Sequence, residues 1–352
     1  YTTIDKPTDY FNTKLYTGNS SSTQAVTGVG FQPDFTWIKQ RNLAYSHVLF
    51  DAVRGVGKNI QSNSATEEET NNSVGYLSAF DSDGFTLSQG SSNGDRVNGA
   101  YNYVAWNWKA GTTISSTSTS GSGTAKTYTG SVSTASGFSI IRYVGNGTAG
   151  HTIPHHLGAK PDVILVKHLG DGQQWATQWS PLGATKVMRF ASTNAVSDSN
   201  TRWNDTEPTT SVFTLGNEAE GNTNDGNHIA YCFTNIQGYS KVGSYTGNAN
   251  ADGTFVYTGF KPAWLMIKDS SSGGDWIMYD NKRDPDNLVN SRLSANEANA
   301  EGSDSNGIDF LSNGFKIRTS DSSWNASGNL FIYMAFAEES FVSSSGVPAT
   351  AR

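Results

Sequence analysis

The chain has 352 residues, with Lys+Arg 24 against Asp+Glu 31, a net charge of −7, only 16% charged residues, and 17 Phe, 15 Tyr and 9 Trp. The aromatics supply real cores, so charge-driven disorder is excluded. The acidic balance, without a basic run, excludes a nucleic-acid partner. The lone Cys232 excludes an internal disulfide, and no stretch of about 18 apolar residues calls for membrane insertion.

A single core stops growing at roughly 250–300 residues, which predicts two or three domains. In chain order, a lead-in at 1–13 has no signal-type start, and the missing initiator Met reads as a fragment of something longer. The first block, 14–110, opens with the turn Tyr16-Thr17-Gly18. It continues with the Pro-led run Phe31-Gln32-Pro33-Asp34-Phe35-Thr36-Trp37-Ile38-Lys39, then the aromatic strand His47–Asp51. Gly84-Phe85-Thr86-Leu87 follows, and Tyr103–Trp108 closes the block. The Gly/Ser/Thr-rich stretch 111–136 has the composition of a flexible linker.

The same landmarks return in a second block, 137–236, and a third, 237–342, with a short tail at 343–352. Tyr143-Val144-Gly145 and Tyr245-Thr246-Gly247 repeat the opening turn, and Pro161 and Pro262 lead apolar runs ending on Lys167 and Lys268. Phe213 and Phe315 match Phe85, and the closing strands are His228–Phe233 and Phe331–Phe336. Pro33 to Pro161 and Phe85 to Phe213 both span 128 residues, while Pro161 to Pro262 spans 101 and Phe213 to Phe315 spans 102. Without the linker the period is near 100, the signature of a tandem repeat.

Within a block the apolar runs are short, rich in Ile, Val and aromatics, and separated by Gly, Asn, Asp and Pro, which describes strands. Large residues recur at every second position of the closing strand, as in Val104, Trp106 and Trp108. The predicted fold is all-β, three tandem β-sandwich modules of jelly-roll-like type. Short helices are expected around Ser64–Asn72 and Ser294–Ala300. The linker lets the first module swing, whereas the second and third share a fixed interface.

Tyr-Thr-Gly-Asn, Gly-Phe-x-Pro-Asp-x-x-Trp-Ile-Lys, the run at 239–248, Tyr-Asp-Asn-Lys-Arg at 279–283 and Met-Ala-Phe-Ala-Glu at 334–338 carry a resemblance from about Ile4 to the C-terminus. The chain resembles repeated-domain structural, tail-fibre-like proteins of tailed, especially marine, bacteriophages. That resemblance implies a virion or extracellular location, contacts with other virion subunits, a homo-oligomer such as a trimer, and host-surface adhesion. It supplies no catalytic residues.

The chemistry-bearing residues are few. Glu67-Glu68-Glu69 could serve glycoside hydrolysis, but three consecutive acids in a polar segment read first as a solvated loop or helix start. His151, His155 and His156 suit a metal but lack a Cys or acidic partner at ligand spacing, so a loop entering the Pro161 strand is the simpler reading. Asp81-Ser82-Asp83-Gly84 and Asp284-Pro285-Asp286 offer oxygen ligands to a structural calcium, the one cofactor these residues suggest. Lys39, Lys167 and Lys268 read as polar residues leaving the core with their stems on a neighbouring aromatic.

Trp203 and Trp324, in polar loops, are the candidate ligand-binding residues, as stacking platforms for sugar rings; the competing reading has each ring capping its own sandwich. The function expected is a non-enzymatic virion structural protein, a tail-fibre or capsid-surface component that contacts other subunits and a host surface polysaccharide. The alternatives are a tailspike-type polysaccharide-degrading enzyme and a cellular lectin-like module. Triplication favours the first, because repeated modules give multivalent contact.

Overall fold

The computed structural model describes residues 2–342 and 344–346, with the side chains of 304–306 outside that description. The tail placed at 343–352 therefore lies outside the described residues except for 344–346. The fold is all-β and antiparallel, and among the described residues the longest helix has four residues. Among the described residues no helix is long and apolar enough to cross a membrane.

The same four-strand order occurs three times. In the first block it runs Phe11–Thr17, Asn102–Trp108, Phe35–Gln40, Val48–Asp51. In the second it runs Phe138–Val144, Asn227–Phe233, Val163–His168, Ala176–Trp179. In the third it runs Ser240–Thr246, Leu330–Ser340, Phe260–Asp269, Ile277–Asp280. The opening and closing strands of each block are thus neighbours, and the Pro-led strand pairs with the closing strand on its other side.

A smaller outer layer covers one face of each four-strand set. Thr23–Thr27, Gly84–Ser88 and Tyr76–Asp81 form it in the first block. In the third, the sheet continues through Val289–Ser294, Gly302–Leu311 and Gly314–Ile317 to the edge strand Phe255–Tyr257.

The opening turns explain themselves physically. Tyr16, Tyr143 and Tyr245 each stack on the first ring of their closing strand, Tyr103, His228 and Phe331, with centroids 5.0 Å apart. Their hydroxyls donate to the carbonyls of Val97, Gly221 and Trp324. Glycine follows two residues later because a Cβ on Gly18, Gly145 or Gly247 would lie 1.9–2.3 Å from a backbone oxygen of the facing loop.

The alternation of the closing strands divides their side chains between two cores. The small set, Ala105, Ala230 and Ala335, faces the interior of each sandwich. The large set, Val104-Trp106-Trp108, Ile229-Tyr231-Phe233 and Ile332-Met334-Phe336, faces a single core shared by all three blocks. There Phe35 lies 4.5 Å from Tyr231, Phe11 5.0 Å from Phe336, Trp37 5.7 Å from Phe190 and Trp108 5.8 Å from Trp264.

The first block is consequently packed against both others and does not swing. The stretch read as a linker is built into the second sheet, where Thr112–Ser118 pairs with Thr127–Ser133 and the latter with Phe138–Val144. Its threonines and Ile114 favour strand geometry, which overrides the Gly/Ser signal once a sheet edge is available. Nor do helices form at 64–72 or 294–300. These segments are irregular arms that reach a neighbouring block: the Glu68 amide donates to the Leu169 carbonyl, and the Ala295 carbonyl accepts from the Ser62 hydroxyl.

Candidate functional site

The polar residues that stand out in the sequence gather mostly where the blocks meet. Three equivalent ring nitrogens close a circle. His47 of the first block bonds the Ser294 carbonyl of the third at 3.1 Å, and Trp175 of the second donates to the Gln61 carbonyl of the first at 2.9 Å. Trp276 of the third donates to the Arg189 carbonyl of the second at 3.3 Å. The His47 tautomer follows from its other side: Nδ1 accepts from Trp37 Nε1, so Nε2 carries the proton that bonds Ser294.

Beside this circle lie two buried ion pairs. Asp51 and Arg54 are paired in the first block, and Tyr231 of the second donates its hydroxyl to Asp51 at 2.7 Å. Asp280 and Arg283 are paired in the third, and Trp106 of the first donates to Asp280 at 3.0 Å. Arg54 reaches Glu68, and Arg283 reaches Glu301, which Arg41 also clasps. In the second block the equivalent positions are Trp179 and Leu182, and the donor position of the third block is Met334. Acceptor, cation and donor are lost together, so the third junction has no ion pair at these positions and no buried charge is left uncompensated there.

Lys39, Lys167 and Lys268 do not leave the core; all three are buried. Their ammonium groups bond backbone carbonyls, Lys39 to Gln40 at 2.7 Å, Lys167 to His168 at 2.7 Å and Lys268 to Gly274 at 2.8 Å. Burial pushes Lys39 down to about 7 and Lys167 and Lys268 down to about 8, with nearby acids such as Glu301, Asp171 and Asp269 opposing.

The sequence candidates for catalysis and metal are engaged elsewhere. Glu68 holds Arg54 and Lys58, and Glu69 holds Arg96. His151 bonds Asn222 and Thr119, His155 bonds the Thr209 carbonyl, and His156 bonds Tyr128. Among the described residues no three His, Cys, Asp or Glu side chains converge as a metal site. Asp83 accepts from the Gly28 and Gly30 amides, and Asp284 from the Asn290 and Ser291 amides, so these carboxylates close turns.

Trp203 and Trp324 are not stacking platforms. Sugar stacking needs an exposed ring face, and these rings are 1% and 5% exposed. The one-turn helices Asn200–Trp203 and Ser322–Asn325 turn them inward, Trp203 onto Phe213 and Trp324 beneath the Arg292 guanidinium.

Exposed aromatic surface lies instead on the edge strand Phe255–Tyr257. Phe255 is 46% and Tyr257 60% exposed, while Val256 between them enters the core. On the neighbouring strand Lys316 is the partner of Phe255 and Gly314 of Tyr257. Lys316 bonds Asp252, and Arg318 lies within 3.5 Å of Asp309.

Residues 6–340 match a family model described as a domain of unknown function, DUF7483. The chain belongs to this family. No curated protein and no solved structure gives a match.

In this DUF7483 chain, sequence reasoning passes over several residues that organise the site. Asn98, Asn222 and Asn325, all buried, accept the backbone amides of Asn19, Asn146 and Asn248, which follow the opening turns. Their signal is a fixed position five or six residues before the first ring of each closing strand. The Asp-x-x-Arg pairs are visible as Asp51/Arg54 and Asp280/Arg283 at equivalent places. Phe255 and Tyr257 escape notice because Phe-Val-Tyr reads as a buried run, although the aligned residues are Ala25 and Thr27 in the first block and Thr152 and Pro154 in the second.

Proposed function

We propose that the chain is a non-enzymatic structural component of a bacteriophage virion surface, of tail-fibre or capsid-surface type, built from three repeats of one sandwich module. Its chemistry would be non-covalent contact with neighbouring subunits and with a host surface polysaccharide. The observation that carries this reading is the closed circle of cross-block bonds from His47, Trp175 and Trp276. It locks the repeats around one aromatic core, while Glu68, Glu69, His151, His155 and His156 are engaged with cations, side chains and backbone. A body of this kind transmits force and presents surface. The sequence strings that resemble tail-fibre-like proteins point the same way.

Mass spectrometry of purified particles should find the protein in many copies, and its absence would overturn the virion assignment. The full chain should bind host cells or their surface polysaccharide without releasing fragments. Oligosaccharide products that disappear on Glu68→Gln would replace this reading with the enzymatic one.

A further inference from the structure

We infer that Phe255 and Tyr257 form a carbohydrate-stacking platform, and that the ligand is an uncharged pyranose segment of a polysaccharide. The inference rests on the adhesive reading above and names the surface that would perform it.

Alternate residues on a strand share one face and lie about 6.8 Å apart. Phe255 and Tyr257 therefore stand on one exposed face of the strand, a backbone spacing suited to successive sugar residues lying along it. Tyr257 lies with its ring and hydroxyl beside Gly259, where an added Cβ would come within 3.6–3.8 Å of them. Its flank is open because its cross-strand partner is Gly314. A side chain there is excluded by the Val256 carbonyl, 2.0 Å from where a Cβ would be.

The same face is small or rigid in the other two blocks, Ala25 and Thr27 or Thr152 and Pro154, so the strand itself does not require aromatics here. The polar groups around the rings carry balanced charge, with Lys316 on Asp252 and Arg318 on Asp309, which suits hydroxyl recognition better than an anionic chain.

Size argues against a protein partner. Two aromatic side chains bury at most about 150–250 Å² each, whereas a stable protein interface needs about 800 Å² from each side. The edge strand has three residues, too short a template for pairing with a second copy.

The test is affinity electrophoresis of the full chain in gels carrying soluble β-glucan, galactomannan or alginate. Retardation in at least one of the two neutral polysaccharides is expected. Phe255→Ala or Tyr257→Ala should weaken it about tenfold each, Tyr257→Trp should retain it, and alginate should give none. Because both rings are exposed, the variants should unfold at the wild-type temperature.

Retardation in no neutral gel, retardation only in alginate, or binding unchanged in the double alanine variant would overturn the inference. So would dimerisation that vanishes with Tyr257→Ala, which would mean that a second copy covers the face. Wild-type adhesion of the double variant to host cells would sink this platform and leave the adhesive reading standing. Failure of the wild-type chain to bind cells would remove that reading itself.

Discussion

At the scale of single residues, the two junctions with a buried ion pair and the one without are alternative solutions to the same packing problem. Arg283→Met would leave Asp280 buried with only the Trp106 donor and the turn amides, and removing one partner of a buried pair costs about 3–5 kcal/mol. Combining Asp280→Trp, Arg283→Leu and Trp106→Met copies the set Trp179, Leu182 and Met334, and should be much less destabilising than Arg283→Met alone. Urea unfolding of the single and triple variants measures the difference, and equal losses would refute the equivalence of the junctions. Titration gives a second handle. Burial, with His168 and Lys167 adding repulsion, pushes His228 down to about 3, while Tyr143 stacks on its ring and Asp171 pairs with His168. The unfolded imidazole takes a proton near its usual 6.5 and the folded one does not until about 3, so stability should fall as pH falls between these values. The lysines act in the same direction at higher pH. Lys39 loses its proton near 7 when folded and near 10.5 when unfolded, so the unfolded chain holds more protons in that window and stability should rise with pH across it. Melting temperature followed across these ranges should show both limbs. His228→Phe, which copies Phe331 of the third block, should make the acid limb shallower and leave the upper limb unchanged, with burial of His47 and His155, the latter pushed down to about 4, keeping part of the acid slope.

At the scale of elements, the segment 111–136 decides between a hinge and a hairpin. Thr112–Ser118 and Thr127–Ser133 are hydrogen-bonded to each other and to the second sheet. A broad-specificity protease should therefore leave both intact under native conditions, with any nick confined to the turn between them, whereas a flexible linker would be cut throughout. Composition could not show this. Gly, Ser and Thr describe a solvated hairpin as well as a linker, and what distinguishes them is the unpaired edge of Phe138–Val144, a tertiary fact. Elements whose signal is local were legible: the opening turns, the Pro-led strands and the closing strands stand where their motifs and alternation put them. The arms at 64–72 and 294–300 were not, because the partners that hold them, Leu169 and Ser62, belong to other blocks. The site shows the same split. Trp203 and Trp324 look exposed from their polar neighbours, yet one turn of helix points each ring inward. Phe255 and Tyr257 look buried from their neighbours, yet strand alternation points them out.

At the scale of the whole molecule, the direction in which the large side chains face changes what the repeat is for. A chain of self-sufficient sandwiches would turn Trp106, Tyr231 and Met334 inward and keep small residues outside. Here Ala105, Ala230 and Ala335 line the sandwiches, and the large residues meet between them. Each block therefore carries a broad apolar face that is covered only by the other two, and splitting them would expose Trp37, Trp106 and Trp108 to water at about 25 cal/mol per Å² of apolar surface. The blocks should not melt one by one. Scanning calorimetry should give a single transition whose calorimetric and van't Hoff enthalpies agree, where independent modules would give a van't Hoff value well below the calorimetric one. Small-angle scattering should give a radius of gyration of about 20 Å, the value for one compact body of this length, and not the larger value of three domains in a row. A chain that met both expectations would project its outer sheets, and with them Phe255 and Tyr257, from a core too well buttressed to bend under load. A chain that melted in steps or scattered as a rod would show that the shared core is not the unit of stability, and the closed circle of His47, Trp175 and Trp276 would lose its role as the feature that makes the body rigid.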